Sequence, residues 1–218
     1  PEQFVGREEE LAEIHRQLSS GSGRVLLHGM GGLGKTTLAR AYAARFAHAY
    51  DTVLWLNVRQ DLTHTFCDDG ELTIRNLSWN SGQYADQAQY FRKKWKVLTG
   101  LLEKRRVLLI LDDVNQLKDR VFPLLWQLPC ALLMTGRVCG ADWPVAVHRL
   151  PPLDRRYWRD FYRCCGQLLL TPGEIQRLDT FCAGVQGNPL LMRLAVCSPD
   201  QPPALGAGKD DLTRYFIR

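Results

Sequence analysis

Apolar positions along the chain follow two rhythms. From Glu8 to Leu18 they fall at 11, 14 and 18, the stripe of an amphipathic helix with an acidic first turn. Gly21-Ser22-Gly23 breaks the chain, and Val25-Leu26-Leu27-His28 reads as a short buried strand running into a glycine-rich turn. Helical spacing returns from Thr36 through Leu38, Tyr42 and Phe46, followed by a second strand over Val53–Val58. Residues 60 to 88 are polar, and the expectation there is an irregular insertion. A helix over Ala88–Leu102 precedes a third strand, Val107–Leu111, which ends in Asp112-Asp113. Ala131–Thr135 is a fourth strand and Val145–Leu150 a fifth. Continuous apolar strands alternating with helices describe a doubly wound α/β fold, a parallel five-stranded sheet covered on both faces. After Pro151-Pro152 the strand signals stop, and residues 154–170 and 172–197 read as helical. The expected organisation is a sheet domain over 1–150, a small helical subdomain over 151–197, and a linker with the start of a further element over 198–218.

Composition narrows the class without naming a chemistry. The chain has 218 residues, 45% of them hydrophobic and 23% charged, close to the average for a globular protein. No run of about 18 apolar residues exists, so no membrane-spanning helix is expected. The first residues lack a Met and a signal-peptide pattern, which suggests a segment of a longer cytoplasmic protein. Seven cysteines without a C-x-x-C pair and five histidines without an H-x-x-x-H pair give no zinc pattern, and suggest reduced, mostly buried thiols. The net charge of +5 gathers in two stretches, Arg92 to Arg106 and Arg149 to Arg163. Both are interrupted by apolar residues at helical or strand spacing and read as solvated faces, with a nucleic-acid or partner surface as the alternative.

Gly29-Met30-Gly31-Gly32-Leu33-Gly34-Lys35-Thr36 fits G-x-x-x-x-G-K-[ST]. A polyphosphate must be wrapped by successive backbone N–H groups, and residues without a Cβ let the backbone approach and turn sharply. The helix that follows aims its N-terminal dipole at the anion. Lys35 is placed to reach the β- and γ-phosphates, and Thr36 to ligate Mg²⁺. Such a match arises by accident in about one chain of this length in a hundred, and here it sits between an expected strand and helix.

Asp112 and Asp113 stand at the C-terminal end of a buried strand, the rim on which such sheets bind ligands. Asp112 is the expected Mg²⁺ partner, and Asp113 the expected group that polarises an attacking water. Thr135-Gly136-Arg137 ends the next strand on the same rim, where the Arg137 cation is placed to report a γ-phosphate. The strand over Val53–Val58 lies between the loop strand and the acidic strand in sequence, so another strand is expected to separate those two in the sheet. That arrangement suits water-activating ATPases better than simple kinases.

Together these residues resemble the NB-ARC branch of the signal-transducing STAND ATPases, P-loop NTPases that include plant disease-resistance proteins, apoptosome-forming ATPases and bacterial regulators. Phe4-Val5-Gly6-Arg7-Glu8-Glu9-Glu10-Leu11 is similar to the opening segment of that family, and Gly187-Asn188-Pro189-Leu190 to its G-x-P-L motif. The resemblance implies that Val5, Arg7 and Pro189 frame adenine, and that Gly29, Gly31, Gly32, Leu33, Gly34, Lys35, Thr36 and Thr37 hold the phosphates. It implies Thr36 and Asp112 as Mg²⁺ ligands, with Lys35, Asp113 and Arg137 serving slow ATP hydrolysis. It further implies an ADP-bound resting state, self-association with ATP, and effector and sensor domains elsewhere in the protein, in defence or regulatory signalling. An ATPase module of a DNA-binding transcriptional regulator is the alternative. Two departures stand out: Asn115-Gln116 replaces a common aromatic, and Gly136 removes a hydroxyl from the T-T-R or T-S-R pattern.

Overall fold

The computed structural model describes residues 4–20, 23–80, 83–116, 118–165 and 171–197. The linker and final element expected over 198–218 lie outside the described residues. Helix α1 (Glu8–Ser19) leads to β1 (Arg24–His28), α2 (Lys35–Phe46) and β2 (Thr52–Asn57). Then come α3 (Leu62–Cys67), α4 (Gln87–Leu102), β3 (Val107–Asp112), α5 (Phe122–Leu125), β4 (Ala131–Gly136) and β5 (Ala146–Arg149). Helices α6 (Trp158–Cys164), α7 (Pro172–Gly184) and α8 (Pro189–Cys197) complete the described chain.

The five strands form one parallel sheet in the order β2-β3-β4-β1-β5. Strand period decides which helices cover which face. Val25, Leu27, Leu108, Ile110 and Leu133 pack with Leu11, Ile14, Leu18, Leu38 and Tyr42 of α1 and α2. The alternate residues Leu26, Leu109, Leu111, Leu132 and Met134 pack with Phe66, Tyr90, Phe91, Leu98 and Leu125 on the opposite face. All six residues of β3 are buried, which is why that stretch reads as an unbroken apolar run rather than an alternation. Burying each such Leu or Ile contributes roughly 1.5–3 kcal/mol before the entropy of ordering is charged against it.

Strand order agrees with the expected separation and identifies the separating strand. The loop strand β1 and the acidic strand β3 are indeed separated, but the strand between them is β4; β2 lies at the sheet edge. The arginine-bearing end of β4 therefore sits directly between the phosphate loop and the acidic pair.

The segment expected to be irregular contains α3, capped by the Asp61 carboxylate accepting from the His64 N–H at 2.6 Å. It also supplies Leu62, Phe66, Leu72, Ile74, Leu77 and Tyr84 to the core, so it is packed rather than a polar excursion. Lys94 departs from the solvated-face expectation as well. It is only 1% exposed, and its ammonium meets Asp69 Oδ1 at 2.6 Å, tying α4 to that segment. The rest of the first basic stretch (Arg92, Lys93, Lys96, Lys104, Arg105 and Arg106) is exposed, as are Arg149, Arg155, Arg156, Arg159 and Arg163 of the second.

After β5, Leu153, Trp158, Tyr162, Leu178, Phe181, Cys182 and Met192 form a hydrophobic cluster of their own among α6, α7 and α8. The helix expected over 172–197 is two helices. Gln186 and Gly187 take left-handed backbone conformations, φ 53° and 69°, which end α7 before Asn188 starts α8. A side chain at Gly187 would put its Cβ 2.5 Å from the Leu153 carbonyl oxygen, so glycine is required there on two counts. Thr171 and Glu174 form a reciprocal capping box at the start of α7. Of the six cysteines whose side chains are described, only Cys67 and Cys182 are buried; Cys130, Cys139, Cys164 and Cys165 are half-buried, fewer buried thiols than the sequence suggested.

Candidate functional site

Because β1 is an interior strand beside β4 and its C-terminal end faces the same rim as β3 and β4, the loop after it opens on the side of both. Gly32 and Gly34 have φ of 82° and 89°, values that favour glycine, and Gly34 turns the chain into α2. The Leu33 side chain is 3% exposed and anchored in the core, while its backbone stays in the loop. A cavity of about 360 Å³ lies over the loop and the start of α2. Its walls include Val5, Arg7, Gly31, Gly32, Leu33, Gly34, Lys35, Thr36, Thr37, Asp113, Arg137 and Pro189, which brings most of the expected set together.

Gly29 and Asp112 do not line that cavity. The Gly29 carbonyl instead accepts a hydrogen bond from the Lys35 ammonium at 2.8 Å, and the Met30 carbonyl accepts a second at 2.8 Å. Burial, and then the Arg137 cation nearby, hold Lys35 below the ordinary lysine value, opposed by the charges of Asp113 and Asp112. A polyanion in the cavity would reverse that balance by giving the ammonium a partner.

Asp112 lies one layer deeper, 7% exposed. Its Oδ1 accepts from the Thr36 hydroxyl at 2.8 Å and from the Thr135 hydroxyl at 2.5 Å. Thr36 and Asp112, from different elements, thus form one hard-oxygen pair of the kind that suits Mg²⁺, with the Asp112 orientation fixed by β4. Asp113 is exposed and left-handed, φ 66°, a conformation that Asp tolerates better than most residues. Its N–H donates to Thr135 Oγ1 at 3.0 Å.

The Asn115 side chain donates to Asp113 Oδ1 and accepts from the Arg137 N–H at 2.9 Å. It therefore couples the acidic end of β3 to the arginine end of β4, a role that its departure from the aromatic pattern did not disclose. The Arg137 guanidinium carbon lies 3.9 Å from where a Cβ on Gly31 would stand, so the cation faces the loop. Arg7 is 6% exposed, and its guanidinium donates to Glu10 Oε1 at 2.7 Å and to the Pro151 carbonyl at 2.7 Å. It clamps the chain start to the joint before the helical cluster.

The helical cluster closes the far side of the cavity with Leu153, Phe161, Cys164, Cys165, Leu190 and Arg193. Sequence spacing could have found Arg193, one helical turn beyond Pro189, but not Phe161 or the two thiols, which depend on how α6 packs. Lys35, Arg137 and Arg193 against Asp113, with Arg7 already paired to Glu10, leave the cavity net positive. An apolar wall beside a cationic, N–H-rich floor fits a ligand with a flat apolar ring and a polyanionic tail.

A parallel sheet with a glycine-rich phosphate loop after an interior strand, and an acidic strand two places away, defines the P-loop NTPase class. The NB-ARC domain family model matches residues 7–140, and the chain belongs to that family. A probable disease resistance protein of Arabidopsis thaliana is 30% identical over 122 residues, covering 53% of this chain and 12% of that protein. An uncharacterised protein of Mycobacterium tuberculosis is 28% identical over 236 residues, covering 97% of this chain and 55% of that one. The chain thus spans about an eighth of the plant relative and about half of the mycobacterial one. Among solved structures, the STAND (signal transduction ATPase with numerous domains) protein with a tetratricopeptide repeat sensor from Pyrococcus horikoshii has the same fold. It superposes with a TM-score of 0.66 at 21% identity, covering 99% of this chain and 32% of that one.

Proposed function

We propose that the chain is the ATP/ADP switch module of a STAND signalling ATPase. It holds ADP at rest, exchanges it for ATP on activation, associates with further copies in the ATP state, and returns by slow hydrolysis. The observation that carries this reading is the single cavity in which Lys35, Thr36 and Arg137 of the sheet face Pro189 and Arg193 of the helical cluster. A ligand that touches both walls biases how they sit together, which is the physical requirement of a switch. The family relationship supports nucleotide as that ligand. Sensor and effector domains would lie in the rest of a longer cytoplasmic protein, serving defence or regulatory signalling.

In this reading Val5, Arg7 and Pro189 frame adenine, and the N–H groups from Gly31 to Thr37 wrap the phosphates. Lys35 leaves the carbonyls of Gly29 and Met30 to meet the β- and γ-phosphates. Thr36 and Asp112 would hold Mg²⁺, which supplies charge neutralisation for the triphosphate. Asp113, oriented by Asn115, holds the attacking water and accepts its proton at a carboxylate oxygen. Arg137 meets the γ-phosphate and passes its presence to Asn115 through the backbone.

Replacing Lys35 with Ala removes a charge-assisted contact worth roughly 1.5–3 kcal/mol, so nucleotide affinity should fall by about one to two orders of magnitude. Calorimetric titration of parent and Lys35→Ala with ATP tests this, and equal affinity would remove the site assignment. Asp113→Asn keeps a residue that tolerates the left-handed backbone while removing the base. It should bind ATP like the parent and lose turnover in a phosphate-release assay; turnover at the parent rate would mean the base is elsewhere.

A further inference from the structure

Asn188 is joined to the phosphate loop although it does not line the nucleotide cavity. Its Oδ1 accepts from the Leu190 N–H at 3.1 Å and the Leu191 N–H at 3.4 Å, capping α8. Its Nδ2 donates to the Gly31 carbonyl at 3.1 Å. Only one orientation of the amide satisfies both, because the helix end needs an acceptor and the loop carbonyl a donor. Beside it, the Leu190 N–H also donates to the Gly32 carbonyl at 3.2 Å. The approach leaves no spare room: a Cβ on Gly32 would meet Asn188 Oδ1 at 2.7 Å and the Leu190 Cβ at 2.9 Å.

Two successive peptide planes of the loop are therefore held by the first turn of α8. A trans peptide is rigid and sets its C=O and N–H in opposite directions. Fixing the Gly31 carbonyl on Asn188 fixes the Gly32 N–H on the opposite side, and fixing the Gly32 carbonyl on Leu190 does the same for the Leu33 N–H. These are backbone donors of the loop that the functional reading assigns to phosphate.

On that reading, we infer that Asn188 is a positioning residue: from the helical cluster it pre-orients the loop's anion-binding N–H groups without touching the nucleotide. The coupling runs both ways. Phosphates that hold the same peptide planes tighten the start of α8, and so tell the helical cluster that the loop is filled.

Asn188→Ser separates the two jobs of the side chain. Serine caps a helix about as well as asparagine, but its hydroxyl is too short to reach the Gly31 carbonyl. The expected result is a thermal midpoint close to the parent's and ADP binding weaker by roughly 3- to 10-fold, the range of one net hydrogen bond. Hydrogen exchange adds a readout that a merely structural role would not move. Saturating ADP should slow exchange of the α8 amides in the parent, and that slowing should be lost in Asn188→Ser. Asn188→Asp, which also caps but cannot donate to the Gly31 carbonyl, should repeat both losses. Parent-like affinity with a parent-like α8 response in either variant overturns the assignment of Asn188 alone. A parent chain that takes up no ADP overturns the functional reading, and this assignment with it.

Discussion

Restoring the side chain that Gly136 lacks should damage the protein rather than improve its sensor. In the related T-S-R pattern the middle residue carries a hydroxyl, so Gly136→Ser looks conservative in sequence. In the structure, a Cβ at Gly136 would lie 2.3 Å from the Val114 carbonyl oxygen, more than 1 Å inside ordinary contact. That oxygen is backbone and has little freedom to move. The Val114 N–H donates to the Thr135 carbonyl at 2.7 Å and the Asp113 N–H to Thr135 Oγ1 at 3.0 Å. On the other side β4 is held by β1, with His28 opposite Gly136 in the register. Overpacking of this kind costs about 1–3 kcal/mol, which for a chain of this size lowers the thermal midpoint by roughly 3–10 °C. Any relief by moving the segment after β3 shifts Asp113 and Asn115, so nucleotide turnover should fall with stability. Differential scanning fluorimetry and a phosphate-release assay on Gly136→Ser read both effects. A variant as stable and as active as the parent would refute the claim that Val114 excludes a side chain here.

Two further substitutions test other parts of the fold. Asp69 accepts hydrogen bonds from Lys94 and Tyr90 on Oδ1 and from the Trp79 N–H on Oδ2. Burial pushes its carboxyl up, but Lys94 and Tyr90 together hold it below the usual carboxylate value. Asp69→Asn leaves the Lys94 ammonium buried without a counter-charge. The expected loss is about 1–3 kcal/mol, discounted because Asp69 is itself one-third exposed, and urea unfolding reads it. His148 is half-buried, its Nε2 lacks a hydrogen-bond partner, and burial holds its pKa below the ordinary 6.5, opposed by Glu10 and Glu13. The folded state therefore favours the neutral ring. Stability should be full above pH 6.5 and fall as the pH drops below it toward the folded-state pKa. Thermal midpoints measured from pH 5 to 7.5 should show less of this decline in His148→Gln; an unchanged pH profile would count against the assignment.

The strands and the phosphate loop were legible because their signals are local. Val107–Leu111 is apolar throughout since β3 is buried on both faces, and Gly32 and Gly34 of the loop stand where the backbone is left-handed and favours glycine. Strand order was harder to read, because sequence adjacency favours β2 as the separator whereas the sheet places β4 there. The packing of residues 60 to 88 was hidden for a different reason. Leu62, Phe66, Leu72, Ile74 and Leu77 reach the core from a short helix and turns, with no single period to betray them. Lys94 reads as one more surface lysine until Asp69 is found beside it, 25 residues away in sequence. Within the site, Lys35, Thr36, Asp112 and Arg137 were accessible from motif spacing. Asn115 and Asn188 were not, because each acts through a contact between elements distant in the chain, whereas Arg193 stands one helical turn beyond Pro189 and was within reach of spacing. The aromatic missing at Asn115 reads as a loss in sequence, whereas in the structure its amide joins two strand ends.

The most direct measurement is chemical identification of the nucleotide the chain holds. Purified protein is denatured, and the released small molecules are separated by anion-exchange chromatography and quantified against protein. The expected result is ADP near one equivalent per chain, or, if the protein emerges empty, saturable one-to-one uptake of added ADP. A chain that releases no nucleotide and takes up neither ADP nor ATP would contradict the assignment of the cavity over the phosphate loop.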